Sequence, residues 1–309
     1  MDTNTIGLNA AYEAFLSRCD ALNLAEGTVQ WYRQVLHALI TWSASRSVTD
    51  LRAITAPMLR DHLSNLRRRG QASETIFRTF GAMRCAFKFW KREGLIALNP
   101  MELVERPRRE RYLIRPLSAD QAMSLIAMPD TTCTDGLRDR AMIMLMLDSG
   151  LRISEALWLE AGRIDWQNRT LTVMGKGRKE RAVPFSAETG QALLEYAAAR
   201  ERGLIQSPQF LLGRTGKRFC RCKARKLVQR YGKKAGIQGV RMSPHTLRHT
   251  FAVLYIRNGG DSFSLQEILG HSTLGMTRHY VNLARRDVAE QHRKFAPIAA
   301  LMNKKNQDF

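Results

Sequence analysis

The stretch RIDWQNRTLTVMGKGRKERAVPF, residues 163–185, breaks the helical periodicity that runs through the rest of the chain. Within it, Arg163–Trp166, Thr170–Met174 and Arg181–Phe185 read as three short strands, with β-branched and apolar residues at alternate positions. Asn168 marks the first turn and Gly175–Gly177 the second. Turns this short join antiparallel neighbours. Upstream, Leu137–Leu147, with the unbroken apolar run Ala141–Leu147, reads as a buried helix. Ser118 and Gln121 form a capping-box pattern at the start of that region. From Ala187 onward helical spacing resumes. The fold class is therefore mainly α with a small antiparallel β-sheet, α+β.

The first hundred residues carry helical spacing alone. Tyr12, Phe15, Leu16, Cys19 and Leu22 form one stripe, and Tyr32, Leu36, Leu39 and Ile40 a second. Pro57 suits a first helical turn before Leu59, Leu63 and Leu66, and Gly70 ends that helix. Ser73 is a candidate cap for a helix with Ile76, Phe80, Met83, Phe87 and Trp90 on one face and Gly94 at its end. The expected domain is a small helical bundle over residues 1–104. Residues 105–116 hold five arginines, two glutamates and two prolines. With little to bury, they read as an extended linker, lying on DNA or serving as a solvated tether. Residues 117–309 form the second domain. Arg67, Arg68 and Arg69 end one helix and read equally as a phosphate contact or a solvated terminus.

Composition narrows the function. Lysine and arginine total 49 against 28 acids, a formal net charge of +21. Such an excess suits a surface built to meet polyanions, above all nucleic acid. Hydrophobic residues make up 44% of the 309 residues, enough for real cores. No apolar run approaches the ~18 residues of a membrane span, and the N-terminus lacks the blocks of a signal peptide. Five scattered cysteines, with a lone Cys220-x-Cys222, match neither a disulfide framework nor a zinc pattern. The expectation is a cytoplasmic protein with reduced thiols.

Four segments carry candidate chemistry. In GLRISEAL, Gly150–Leu157, Arg152 opens a helix and Glu155 at i+3 can hold its guanidinium. An Arg–Glu pair on a helix is also a commonplace structural feature. In MGKGRKERAVP, Met174–Pro184, glycines flank Lys176 at a hairpin tip, where it can reach a phosphate or simply face solvent. No P-loop pattern is present. In PHTLRHTFA, Pro244–Ala252, Pro244 opens a helix and His245 and Arg248 share a face. His245 and His249 are four apart, but no H-E-x-x-H accompanies them, so His249 reads as a packed histidine. In LGHSTLGMTRHY, Leu269–Tyr280, Gly270-His271 reads as a helix entry, with Tyr280 nine residues on.

Together these segments resemble the tyrosine recombinases, or phage-type integrases, nearest the Xer-type branch. The family's ordered series of Arg, Lys, His/Lys-x-x-Arg, His/Trp and Tyr falls on Arg152, Lys176, His245, Arg248, His271 and Tyr280. The likeness extends to the helical first domain, which is similar to the family's SAM-like core-binding domain. The tail from Arg293 follows no assigned pattern. The resemblance implies a site-specific recombinase that cleaves and rejoins double-stranded DNA through a 3′-phosphotyrosine at Tyr280, in integration, excision or dimer resolution. It implies no cofactor and no metal. Arg152 and Arg248 would clamp the phosphate, Lys176 would protonate the leaving 5′-oxygen, and His245 and His271 would aid proton transfer or phosphate binding. It implies a homo-tetramer on two DNA sites, or assembly with a paralogous recombinase, with Asp287–Leu301 as a candidate docking helix. Rival readings are a type IB topoisomerase-like DNA relaxing enzyme, a non-catalytic DNA-binding regulator on the same fold, and a basic phosphate hydrolase.

Overall fold

The apolar stripes of the first hundred residues are realised as helices α1 (Leu8–Ala21), α2 (Glu26–Ala44), α3 (Ala56–Arg68) and α4 (Ser73–Arg92). The structure is a computed structural model that describes residues 6–109, 115–175, 180–201 and 207–271, together with residues 277, 280, 292, 296 and 298. The chain divides into two compact units, Met1–Tyr112 and Leu113–Phe309.

In the first unit, Phe15, Leu36, Leu39, Leu59, Met83, Phe87 and Trp90 form the core, all nearly inaccessible. Each such side chain contributes about 1.5–3 kcal/mol by leaving water. Phe15 makes edge contacts with Tyr32, Phe89 and Trp90. The Trp90 indole N–H is not stranded, because it donates to the Ala11 carbonyl at 2.8 Å. Two local expectations need correction. Leu22 lies past the end of α1 and is 54% exposed, so the stripe stops at Cys19. Ser73 is the first residue of α4, not its cap; Ala72 holds the cap position and offers no side-chain acceptor.

The second unit contains α5 (Ala119–Ile126), α6 (Thr134–Ser149), α7 (Ile153–Trp158), strands β1 (Ile164–Asp165), β2 (Thr170–Met174) and β3 (Glu180–Pro184), then α8 (Ala187–Glu201), α9 (Arg221–Lys234), α10 (Pro244–Arg257) and α11 (Ser262–Leu269). The expected capping box at Ser118 and Gln121 opens α5. Helix α6 packs against α8 and α10, and its Ala141, Met142, Ile143, Leu145 and Met146 are wholly buried.

The first turns of α6 also bury charge, which its apolar composition did not suggest. Arg138 and Asp139 are 5% and 2% exposed. Arg138 donates to Asp139 at 2.6 and 2.9 Å, to Asp135 at 2.7 Å and to the Leu212 carbonyl at 3.0 Å, while the Tyr231 hydroxyl donates to Asp139 at 2.9 Å. Buried ions persist when paired and hydrogen-bonded this completely.

Among the described residues the strands form an antiparallel sheet in the order β1-β2-β3. The β1–β2 turn is held by Asn168, whose backbone and side-chain N–H groups reach the Asp165 carboxylate at 2.9 and 2.7 Å. In the β2–β3 pair, Leu171 faces Val183 and Val173 faces Arg181. Leu171, Val173 and Val183 are buried, so the strand period of two places Arg181 on the same inward face.

Candidate active site

Helix α6 ends at Gly150, whose φ of +59° lets the chain reverse direction. A Cβ at this position would lie 2.2 Å from the Phe251 ring, so glycine is demanded by space as well as by backbone angle. The turn delivers Arg152 to the N-cap of α7. Glu155 reaches back to the Arg152 backbone N–H at 2.8 Å, the half of a capping box that an acceptor-less arginine still permits. The Arg152 guanidinium donates to the other Glu155 oxygen at 2.8 Å and to the Gly270 carbonyl at 3.4 Å.

Glu155 is buried among arginines. Arg181, from β3, donates to both of its oxygens at 3.1 and 3.0 Å, and Arg248 lies 3.9 Å away. Burial alone would raise the carboxyl's pKa. The hydrogen bonds from Arg181 and from the Arg152 backbone outweigh it and hold Glu155 below the usual carboxylate range. Three guanidinium groups against one carboxylate leave two local positive charges, and a partly buried excess of that kind invites an anion.

Arg248 projects from α10 and is 5% exposed. Its guanidinium donates to the Gly150 carbonyl at 2.7 Å, to the Leu269 carbonyl at 2.7 Å and to His271 Nε2 at 3.1 Å. Gly150 and Leu269 stand at the C-terminal ends of α6 and α11, where the helix dipoles favour a cation. Burial, followed by repulsion from Arg152, still lowers the Arg248 pKa to about 10.

His271 follows Gly270, which ends α11 in a left-handed conformation with φ of +61°. The glycine is a helix exit, where the sequence had suggested an entry. A guanidinium only donates, so the Arg248 contact makes His271 Nε2 an acceptor and puts the ring proton on Nδ1. Nδ1 then donates to Thr277 Oγ1 at 3.2 Å. Burial, reinforced by Arg248, Arg152, Arg181 and His249, drives the His271 pKa down to about 4, so the ring is neutral.

Tyr280 is 5% exposed, with its ring stacked on His271 (centroids 6.2 Å apart, planes 13° apart) and tilted against His249 at 5.2 Å. Burial raises the phenol pKa, while Arg248 and Arg152 pull it down. His245 is exposed on α10 near the entrance of this helix. Partial burial, then the fields of Arg221, Arg248 and Arg152, lower its pKa and keep it neutral at physiological pH. Arg152, Arg248, His271 and Tyr280 thus converge, and the fields of both arginines are felt at His245. Lys176 lies outside the described residues, as does most of Asp287–Leu301.

Sequence reasoning missed Arg181 and Thr277. The signal for Arg181 was its strand register with Val183; Thr277 had none beyond its place between His271 and Tyr280. Elsewhere on this unit, Lys223, Lys226 and Arg230 of α9 share one groove with Arg214, Lys217 and Arg218, a local concentration of the chain's positive charge. Among the described residues no three His, Cys, Asp or Glu side chains cluster as metal ligands, and no helix is long and apolar enough to cross a membrane.

Comparison with known proteins places this geometry among relatives. The phage integrase family matches residues 115–286, and the phage integrase N-terminal SAM-like domain matches residues 11–94. The chain is 30% identical over 279 residues to tyrosine recombinase XerD of Staphylococcus epidermidis, covering 89% of this chain and 94% of that one. It is 30% identical over 285 residues to XerD of Staphylococcus aureus, with the same coverage. Its fold is similar to the XerH site-specific recombinase bound to a palindromic difH substrate, with a TM-score of 0.73 and 21% identity, covering 90% of this chain and 81% of that one. It is also similar to the Tn1549 transposon integrase in complex with circular intermediate DNA, with a TM-score of 0.75 and 18% identity, covering 97% and 99%.

Proposed function

The chain belongs to the phage integrase family, as a site-specific tyrosine recombinase of the Xer type, and on that premise we propose that Tyr280 is the nucleophile. The observation that carries this reading is the convergence of Arg152, Arg248, His271 and Tyr280, from separate elements, around two uncompensated positive charges.

In the proposed reaction the Tyr280 oxygen attacks the scissile phosphorus and its proton departs to a base. The phosphorus–O5′ bond breaks, leaving a 3′-phosphotyrosine and a 5′-hydroxyl. A 5′-hydroxyl from the second strand reverses the step. The covalent bond conserves the phosphodiester's energy, so no nucleotide is consumed. Arg152 and Arg248 hold the non-bridging oxygens, a task suited to planar guanidinium groups fixed before substrate arrives. Both ring nitrogens of His271 are engaged and its pKa is about 4, so its role is to orient Arg248. His245 is exposed and neutral, which suits it to accept the Tyr280 proton. Lys176 is assigned to protonating the leaving 5′-oxygen.

The reading extends to organisation. Residues 1–104 serve as the core-binding domain, 105–116 as the linker and 117–309 as the catalytic domain, acting on double-stranded DNA in the cytoplasm. The proposed assembly is a homo-tetramer on two DNA sites, or a mixed one with a paralogous recombinase. The test is trapping of a covalent protein–DNA complex on a nicked duplex. Tyr280→Phe is expected to bind the duplex normally and yield no adduct, and an adduct of normal yield refutes the assignment.

A further inference from the structure

Arg181 is the side chain that bridges both oxygens of Glu155. It sits on β3 with its guanidinium turned inward, 14% exposed at the side chain. It grips both Glu155 oxygens, and its Nε donates to the Ile268 carbonyl at 2.9 Å. Ile268 belongs to the last turn of α11, three residues before His271. Gly270 lies against the same guanidinium, since a Cβ there would sit 3.0 Å from it, and the Gly270 carbonyl accepts from Arg152. One side chain therefore joins the β2–β3 hairpin, the Arg152–Glu155 pair and the corner that presents His271.

We propose that Arg181 is a positioning residue for strand cleavage, holding Glu155 in the orientation that clasps Arg152 and tying the hairpin to the end of α11. The proposal rests on the assignment of Arg152 and His271 made above. Glu155 has charged neighbours on every side that packs against it: Arg152 from α7, Arg181 from β3 and Arg248 from α10. Removing Arg181 leaves the carboxylate held by Arg152 alone, through its backbone N–H and its guanidinium, with Arg248 3.9 Å away as a competing charge. Arg152 then loses its fixed place relative to the phosphate, and an ångström of misplacement can slow a reaction about 10²-fold. A lysine preserves the charge but cannot bridge two carboxylate oxygens and a carbonyl at once. Arg181 is also the largest influence holding the Glu155 pKa down, so its loss lets burial raise that pKa.

The test uses the full chain and a nicked duplex carrying the cleavage site mapped with the parent enzyme. Single-turnover cleavage, DNA affinity and thermal midpoint are measured for Arg181→Met, Arg181→Lys, Glu155→Gln and the double variant Arg181→Met/Glu155→Gln between about pH 4.5 and 8. Arg181→Met is expected to bind DNA as the parent does and to cleave about 10²-fold more slowly. Its rate acquires an acid limb at higher pH than the parent's, as Glu155 takes a proton. That limb disappears in the double variant, which has no carboxyl to titrate. Arg181→Lys shows the same limb, and carries the test should Arg181→Met fail to fold. Parental rates for both Arg181 variants, or a slowed rate whose pH profile is unmoved, overturn the proposal. Arg152→Ala and Tyr280→Phe run beside them. If those two retain cleavage, the active-site reading fails; if they lose it while the Arg181 variants are normal, only the positioning role fails.

Discussion

Replacing Arg248 with lysine keeps the charge and removes the geometry. The guanidinium spans the Gly150 carbonyl, the Leu269 carbonyl and His271 Nε2 at 2.7, 2.7 and 3.1 Å. Nη2 alone reaches both the Leu269 carbonyl and His271 Nε2, so a single ammonium nitrogen can serve that pair and leaves the Gly150 carbonyl without its charged donor. At about 1.5 kcal/mol for the lost charge-assisted hydrogen bond, the lower end of the usual range, the second unit is destabilised by that amount. A unit of this size shifts by about 2–4 °C per kcal/mol, so the thermal midpoint falls by about 3–6 °C without DNA present. Cleavage falls further, by about 10²–10³, because the phosphate also loses a preset donor. Differential scanning calorimetry of the free protein and single-turnover cleavage on a nicked duplex measure the two effects separately. A midpoint within about 2 °C of the parent, or a cleavage rate within about threefold, refutes the reasoning.

Gly150→Ala forces a Cβ to within 2.2 Å of the Phe251 ring at a φ of +59°. It is expected to cost about 2–5 kcal/mol, read by urea unfolding of the second unit. His62, buried against the Trp42 ring, has a pKa lowered by burial to about 4 from 6.5. The unfolded chain therefore binds the proton first, and stability of the first unit falls as pH drops from 6.5 through about 4, by up to ~3 kcal/mol. Urea titrations at intervals across that window should show the slope, and His62→Leu should flatten it. Strand cleavage should proceed at an unchanged rate in EDTA, since the proposed chemistry assigns every role to protein side chains; loss of cleavage with DNA binding intact would refute that.

The residues brought together at the candidate site were more legible in the sequence than what supports them. Arg152, His245, Arg248, His271 and Tyr280 each stand in a short local pattern, and the Arg152–Glu155 contact follows from i, i+3 helix geometry. The strand positions within residues 163–185 were equally local, and the observed strands fall within a residue or two of them. What escaped notice depends on partners far along the chain. Arg181 meets Glu155 across 26 residues and Ile268 across 87, and neither contact leaves a trace in spacing. The pairing of Arg138 and Asp139 left no sign in the sequence because their ring of partners includes Leu212 and Tyr231. Gly270 was misjudged for a subtler reason: a glycine beside a histidine can open a helix or close one, and only the left-handed φ decides.

Two of the three hydrogen bonds that hold Arg248 go to main-chain oxygen atoms at the ends of two helices, and only the third goes to a side chain, His271. Point substitution of Leu269 leaves its oxygen atom in the chain, so the main-chain part of the shell resists ordinary mutation. Its weak points are the residues that decide where each helix stops. Gly150 and Gly270 can therefore govern cleavage through Arg248, and a screen for inactive variants should recover them beside the residues assigned to the phosphate. An insertion that lengthened α6 or α11 by a single residue would rotate a carbonyl out of the shell and silence the enzyme, though every side chain of the site remained.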